Sequence, residues 1–162
     1  MTTLRSRAVA NARSSPSDRR FVVVVDSREQ RPYRFDEAVV KLLPSGDYSI
    51  LGYEERIAIE RKSKKDAYGS LGRDRQRFER EVERLSHFEY AAIVVEASLK
   101  GFLSRPEFSQ LNPKTAINSL LAWSVKHGVF VFFAGDRLHG HAITRCLLEK
   151  FWRYRVMGGG EG

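Results

Sequence analysis

Asp47, Glu60 and Lys62 are the residues whose types and spacing suggest chemistry, and they fall within residues 46–66, GDYSILGYEERIAIERKSKKD. Tyr48, Ser49, Ile50 and Leu51 predict a short strand, and Gly52-Tyr53-Glu54-Glu55 carries turn chemistry. Residues 56–62 then predict the return strand of a β-hairpin. Side chains alternate faces along a strand, so Ile57, Ile59 and Arg61 point one way and Ala58, Glu60 and Lys62 the other. Asp47 comes across from the Glu60–Lys62 pair when the hairpin is in register. Hard carboxylate oxygens hold Mg²⁺, the metal lowers the pKa of a bound water, and a neighbouring ammonium orients that water or offsets developing charge. The pattern therefore suits metal-dependent phosphodiester hydrolysis. Glu-Arg-Lys also occurs as a plain charge cluster on surface strands. Here it directly follows an apolar strand, Asp47 follows the tight turn Pro44-Ser45-Gly46, and Asp66 stands where the chain leaves the strand.

Taken together, Gly46-Asp47 and Glu60-Arg61-Lys62-Ser63-Lys64-Lys65-Asp66 resemble the GD…ERK-x-x-x-D signature of the XPF-type nuclease domain. That family comprises structure-specific DNA endonucleases of the PD-(D/E)xK restriction-endonuclease-like superfamily. Val23-Val24-Val25-Asp26-Ser27-Arg28-Glu29 resembles its first motif, a buried strand ending in V-D-x-R-E. Gly69-Ser70-Leu71, residues 73–85 and Ile93-Val94-Val95-Glu96 follow the pattern downstream. The likeness runs from about Phe21 to Tyr154 and is densest between Val22 and Glu96.

The resemblance implies an α/β fold with a three-layer restriction-endonuclease-like core, a mixed central sheet flanked by helices. It implies Asp47, Glu60 and Asp26 as metal ligands, and Asp66 as a further carboxylate acting directly or at one remove. Lys62 would position the attacking water or stabilise phosphorane-like charge, with Arg28 and Arg61 in supporting or DNA-binding roles. The cofactor would be Mg²⁺, with Mn²⁺ able to substitute. The substrate would be branched DNA or single/double-strand junctions, and the working form a homodimer. Many family members carry a tandem helix-hairpin-helix domain after the nuclease, and this sequence ends before one could fit. A stand-alone form is expected, with junction recognition resting on dimerisation, a basic arm or a partner. Two rivals share the fold: an inactive DNA-binding or scaffolding subunit, and a restriction-type endonuclease. Inactive members typically lose acidic or lysine positions, whereas Asp47, Glu60, Lys62 and Asp66 are all present here.

A chain of 162 residues, 42% hydrophobic and 30% charged, suits one domain with a real core. Its net charge of +8 points to a polyanionic partner, nucleic acid first. The single cysteine, Cys146, excludes an intrachain disulfide framework and fits a reducing compartment, and its apolar helical setting predicts a buried thiol. No apolar run is long enough for a secretory signal or membrane span. The expected location is cytoplasmic or nucleoid-associated, or nuclear in a eukaryote. Without a G-x-x-x-x-G-K-[ST] loop no nucleotide cofactor is expected, and the four histidines show no zinc spacing.

Along the chain, residues 1–20 read as a flexible basic arm, residues 21–156 as the nuclease domain and residues 157–162 as a Gly-rich tail. Residues 21–25 predict a central strand covered on both faces. Asp26 at its end either caps a turn or reaches a site, and Arg28 could pair with Asp26 or Glu29 or touch a phosphate. Residues 36–43 predict a short helix, residues 69–72 a loop, and residues 73–88 a helix with the stripe Phe78, Val82, Leu85 and Phe88. Lys64, Lys65, Arg73, Arg75 and Arg77 follow the candidate metal site as either phosphate contacts or a solvated face. Residues 90–95 and 129–134 predict further strands, with Glu96 either near the site or neutralising a neighbour. Asn112-Pro113 starts a helix burying Ile117, Leu120 and Leu121, and a last helix carries Ile143, Leu147, Phe151 and Tyr154. Trp123, Leu148 and Trp152 fall off those stripes. They predict an exposed association surface, unless the two tryptophans pack on each other.

Overall fold

The computed structural model describes residues 19–159. The expected basic arm therefore lies outside the described residues except for Arg19 and Arg20, as do the last three residues of the tail. Six strands form one mixed sheet: β1 (Val23–Asp26), β2 (Ala38–Lys41), β3 (Tyr48–Ile50), β4 (Ile57–Ser63), β5 (Tyr90–Glu96) and β6 (Phe130–Phe133). Their spatial order is β2-β1-β3-β4-β5-β6. The β1–β3 and β3–β4 pairs are antiparallel, and the other neighbours are parallel. The helices are α1 (Lys64–Leu71), α2 (Arg75–Leu85), α3 (Leu99–Phe102), α4 (Pro113–His127) and α5 (Arg137–Phe151), which continues as a π-helical turn, Trp152–Val156.

Alternation along β4 and β5 sends side chains into two separate cores. Ala58, Ile93 and Val95 join Tyr68, Leu71, Phe78, Val82, Leu120 and Trp123 beneath α1, α2 and α4. Ile57, Ile59, Ala92 and Val94 join Tyr33, Tyr48, Leu148 and Phe151 beneath α5. Helices on both faces of a sheet make the three layers, as expected for the restriction-endonuclease-like core.

Several local expectations are corrected. Residues 36–43 contain strand β2 rather than a helix. Val39 and Val40 favour extended backbone, and pairing alongside β1 in the register Val24↔Val39 satisfies their polar groups. Residues 69–72 are not simply a loop: α1 runs through Gly69 to Leu71. Ser63 starts this helix by accepting the Asp66 N–H at 3.1 Å, and Ala67, Tyr68 and Leu71 are buried by it. The following helix consequently starts at Arg75 rather than Arg73 and ends at Leu85.

The buried stripe of α4 is Ala116, Ser119, Leu120 and Trp123, so Leu121 faces solvent. On α5 the stripe is Gly140, Thr144, Leu148 and Phe151, which leaves Cys146 exposed rather than buried. Trp123 packs on Phe78 with ring centroids 5.7 Å apart, while Trp152 packs on Phe21 and Tyr53 across the sheet. The tryptophans thus belong to different cores. They form no shared exposed patch and do not touch each other.

Gly46 fixes the entry to β3. Its φ of +78° is a left-handed conformation, and a Cβ there would lie 3.2 Å from both the Ala58 Cβ and the Ile59 carbonyl oxygen. Gly46→Ala should therefore cost about 1–3 kcal/mol of stability in urea denaturation, with the strain delivered directly to the Asp47 backbone. An unchanged unfolding midpoint would contradict this account of the turn.

Candidate active site

The hairpin register does what the spacing promised. Tyr48 pairs with Ile59, and the Asp47 N–H donates to the Ile59 carbonyl at 2.8 Å. Asp47 is thereby held against the end of β4, and its Oδ2 accepts the Arg61 backbone N–H at 2.7 Å. Glu60 lies beside it in the sheet and is only 5% exposed. The Lys62 Nζ sits 3.3 Å from Glu60 Oε1 and 4.7 Å from the centre of the Phe78 ring, so helix α2 forms the roof over this pair.

Asp47 and Glu60 open onto a groove of about 680 Å³ whose walls also include Asp26, Asp66, Glu81 and Arg77, while Lys62 lines a cleft beside it. Glu81 is one of three glutamates on α2, and spacing alone does not distinguish it from Glu79 and Glu83. In the fold the Glu81 carboxyl lies close enough to Glu60 to push the Glu60 carboxyl up. The available signal was its place one turn after Phe78, at the margin of the buried stripe of α2.

Burial, then repulsion from Asp47 and Glu81, holds the Glu60 carboxyl well above the usual carboxylate range. Asp47 is pushed up to about 7, chiefly by burial; the Arg61 N–H pulls it down and Glu29 pushes it up. Burial also pulls on Lys62 in the opposite sense, but Glu60, Glu81 and Asp47 outweigh it and keep its ammonium charged beyond its ordinary value. Asp47, Glu60 and Glu81 thus bring together more carboxyl groups than the one ammonium of Lys62 beside them neutralises.

The other expected residues divide by their contacts. Asp26 is buried, and its carboxylate is occupied: Oδ2 accepts Arg28 Nε at 2.9 Å, and Oδ1 accepts the Leu43 N–H at 2.9 Å and Arg28 Nη2 at 3.2 Å. Among the pairings open for Arg28, the structure thus shows the one with Asp26. Asp66 lies on the rim in the first turn of α1 and is exposed.

Arg61 lines the groove but is not a free cation there. Its side chain is 10% exposed, and its guanidinium lies 3.0 Å from Glu96 Oε1 and 3.4 Å from Glu29 Oε1. Glu96 takes the neutralising role left open for it, and its Oε2 also accepts the Tyr33 hydroxyl at 2.6 Å. Arg75 is likewise drawn away, donating to Ser119 Oγ at 2.7 Å and lying 4.8 Å over the Trp123 ring, where it docks α2 on α4. Lys65 and Arg77 line the groove, while Arg73 lines a second cleft beyond it. Lys64 lines neither.

Carboxylate oxygens crowded around a buried acid are the donor set for a hard divalent cation. Among the described residues no three His, Cys, Asp or Glu side chains gather closely enough to enclose a metal. Asp47 and Glu60 are the hard oxygen donors of the groove floor that a divalent cation would take. The residues therefore fit such an ion through Asp47 and Glu60, with Glu81 adjacent.

No curated protein matches the chain. Among solved structures it is similar to XPF from Aeropyrum pernix, with a TM-score of 0.64 and 24% identity over 79% of this chain and 60% of that one. A structure of XPF from Aeropyrum pernix in complex with DNA matches with a TM-score of 0.62 and 24% identity, over 85% of this chain and 66% of that one. The chain thus spans less than two thirds of either, and at this identity the likeness shows the fold. A family model, the ERCC4 domain, matches residues 25–142, from the end of the first strand through the groove to the start of α5. The chain belongs to the ERCC4 domain family.

Proposed function

We propose that the chain is a divalent-metal-dependent DNA endonuclease, using Mg²⁺ or Mn²⁺, that hydrolyses phosphodiesters at branched or single/double-strand junction DNA. The observation that carries the reading is the buried Glu60 with the half-buried Asp47 and Lys62 beside it, where the floor of an open groove carries carboxylates that a cation would relieve. Membership of the ERCC4 domain family and a relative solved with DNA support nucleic acid as the substrate. Asp47 and Glu60 would hold the metal, which when bound supplies a water of lowered pKa and charge on the phosphoryl oxygens.

Lys62 holds its proton beside Glu60, where its ammonium can orient a nucleophilic water or offset charge growing on phosphorus. Asp26 positions Arg28, whose side chain is 63% exposed and can reach a phosphate oxygen at the groove wall. Lys65 and Arg77 flank the opposite wall as backbone contacts. Asp66 adds an exposed carboxylate at the rim, suited to a water-mediated rather than a direct contact. Two chains would pair through α4 and the outer strand β6, where Leu121, Val125 and Phe130 are 52%, 88% and 52% exposed. No helix among the described residues is long and apolar enough to cross a membrane.

Asp47→Asn or Glu60→Gln should lower cleavage of labelled forks and flaps roughly a hundredfold or more, about 2.7 kcal/mol of barrier, while DNA binding persists. Lys62→Ala should lose activity with metal affinity intact. Full cleavage by both carboxylate variants would remove the hairpin from the mechanism. A wild-type chain that binds forks yet cleaves nothing in Mg²⁺ or Mn²⁺ would make the inactive scaffold the correct reading.

The raised carboxyl groups also predict a pH dependence. Between the unfolded carboxylate pKa near 4 and the value of about 7 for Asp47, the native state holds protons that the unfolded chain releases. Metal-free stability should therefore fall as pH rises through that window. Mg²⁺ needs the deprotonated groups, so its stabilising effect should be larger at about pH 8 than at about pH 5.5. Thermal melts with and without the ion check this, and Asp47→Asn should flatten both trends. Sedimentation tests the pairing: twice 18.6 kDa is expected, returning to 18.6 kDa in Val125→Glu.

A further inference from the structure

A second cleft of about 800 Å³ adjoins the catalytic groove and shares Lys65, Asp66 and Arg77 with it. Its floor is the turn between α1 and α2, and its far wall is the loop between α3 and α4, carrying Phe108. Phe108 is 60% exposed, although a ring of that size ordinarily gains by burial. The Lys65 ammonium lies 5.8 Å from the centre of that ring, and Arg73, with a side chain 87% exposed, projects into the same cleft. The N-cap residue of α2, Asp74, makes no side-chain hydrogen bond to the first turn, and its carboxylate lies 3.9 Å from Arg73 and 3.7 Å from Arg77.

An open aromatic face flanked by cations is matched by a flat, apolar ring joined to a phosphate. Paired bases present no such ring, because both of their faces are already stacked within the duplex. Unpaired nucleotides present one, and stacking on an aromatic side chain is tolerant of base identity. Continuity with the catalytic groove gives the strand its path. A strand whose phosphate lies near Asp47 and Glu60 passes between Lys65 and Arg77 before reaching Phe108.

We propose that this second cleft is a binding site for the unpaired strand of the substrate, with Phe108 as a base-stacking platform and Lys65 and Arg73 as its phosphate contacts. The inference rests on the nuclease reading of the first groove and adds to it the element that distinguishes a junction from plain duplex. Single-stranded DNA reaches the enzyme through this cleft, whereas duplex contacts stay on the walls of the catalytic groove.

The test uses the full chain in Ca²⁺ or EDTA, with fluorescence anisotropy of labelled oligo(dT), a blunt duplex and a splayed fork. Phe108→Ala should weaken oligo(dT) binding roughly tenfold and the fork by a similar factor, while leaving the blunt duplex unchanged. Phe108→Tyr should restore binding, because its ring still stacks. Arg73→Ala should weaken oligo(dT) binding and flatten its salt dependence. Since Phe108 and Arg73 are exposed, the thermal midpoints of these variants should match the wild type, which separates lost contact from lost fold.

Equal losses on duplex and oligo(dT), or none on either, would overturn the cleft as an unpaired-strand site while wild-type cleavage of forks kept the nuclease reading intact. A wild-type chain that binds no DNA of any form would overturn both.

Discussion

A strand covered on both faces must find a partner for every charge it carries, and β4 carries three in succession: Glu60, Arg61 and Lys62. Alternation sends the middle one through the sheet toward α5, where Glu96 and Glu29 neutralise it and the Tyr33 ring lies 5.5 Å below. The outer two stay on the α2 face, where they have chiefly each other. The Arg61 backbone N–H meanwhile holds Asp47. One strand thereby anchors the sheet and assembles the site with the same three residues.

The α2 face is electrostatically unfinished. Glu60 is buried with the half-buried Asp47 beside it, Glu81 reaches in from α2, and a single ammonium opposes them. Such a cluster is costly unless its members take up protons or a cation joins them, since removing charge from water is opposed by several kcal/mol per ion. The fold carries this cost because β1, β3, β4 and β5 pack tightly around it, with Val24, Ile59 and Val94 fully shielded from solvent. Stability in the two cores supports a site that is itself destabilising.

The helices on the α2 face serve both packing and access. Phe78 and Trp123 tie α2 to α4, and Arg75 spans their junction. On the opposite side of the helix, Arg77 and Glu81 border the groove. The arginines of this helix look alike in the sequence, but the helical angle makes Arg75 structural and turns Arg77 and Arg84 to the groove. The short break between α1 and α2, at Gly72 to Asp74, creates the second cleft, with Phe108 opposite it.

The sequence by itself determined the hairpin, the faces of β4 and the convergence of Asp47 with Glu60 and Lys62. Those follow from strand alternation and from a glycine turn, both of which are local. It also determined the sheet-plus-helices class, because apolar β-branched runs alternate with amphipathic stretches. Only the tertiary structure decided that residues 38–41 extend as β2, because an edge strand draws its hydrogen bonds from β1 and not from its own neighbours. Tertiary packing likewise buried Trp123 and Leu148 and exposed Cys146 and Leu121, since small rotations of a helix about its axis are set by what it docks against. The roles of Glu81, Arg61 and Asp26 were decided the same way. Charge type was plain in the chain, but whether a carboxylate meets a guanidinium, a backbone amide or another carboxylate depends on which elements are brought alongside it.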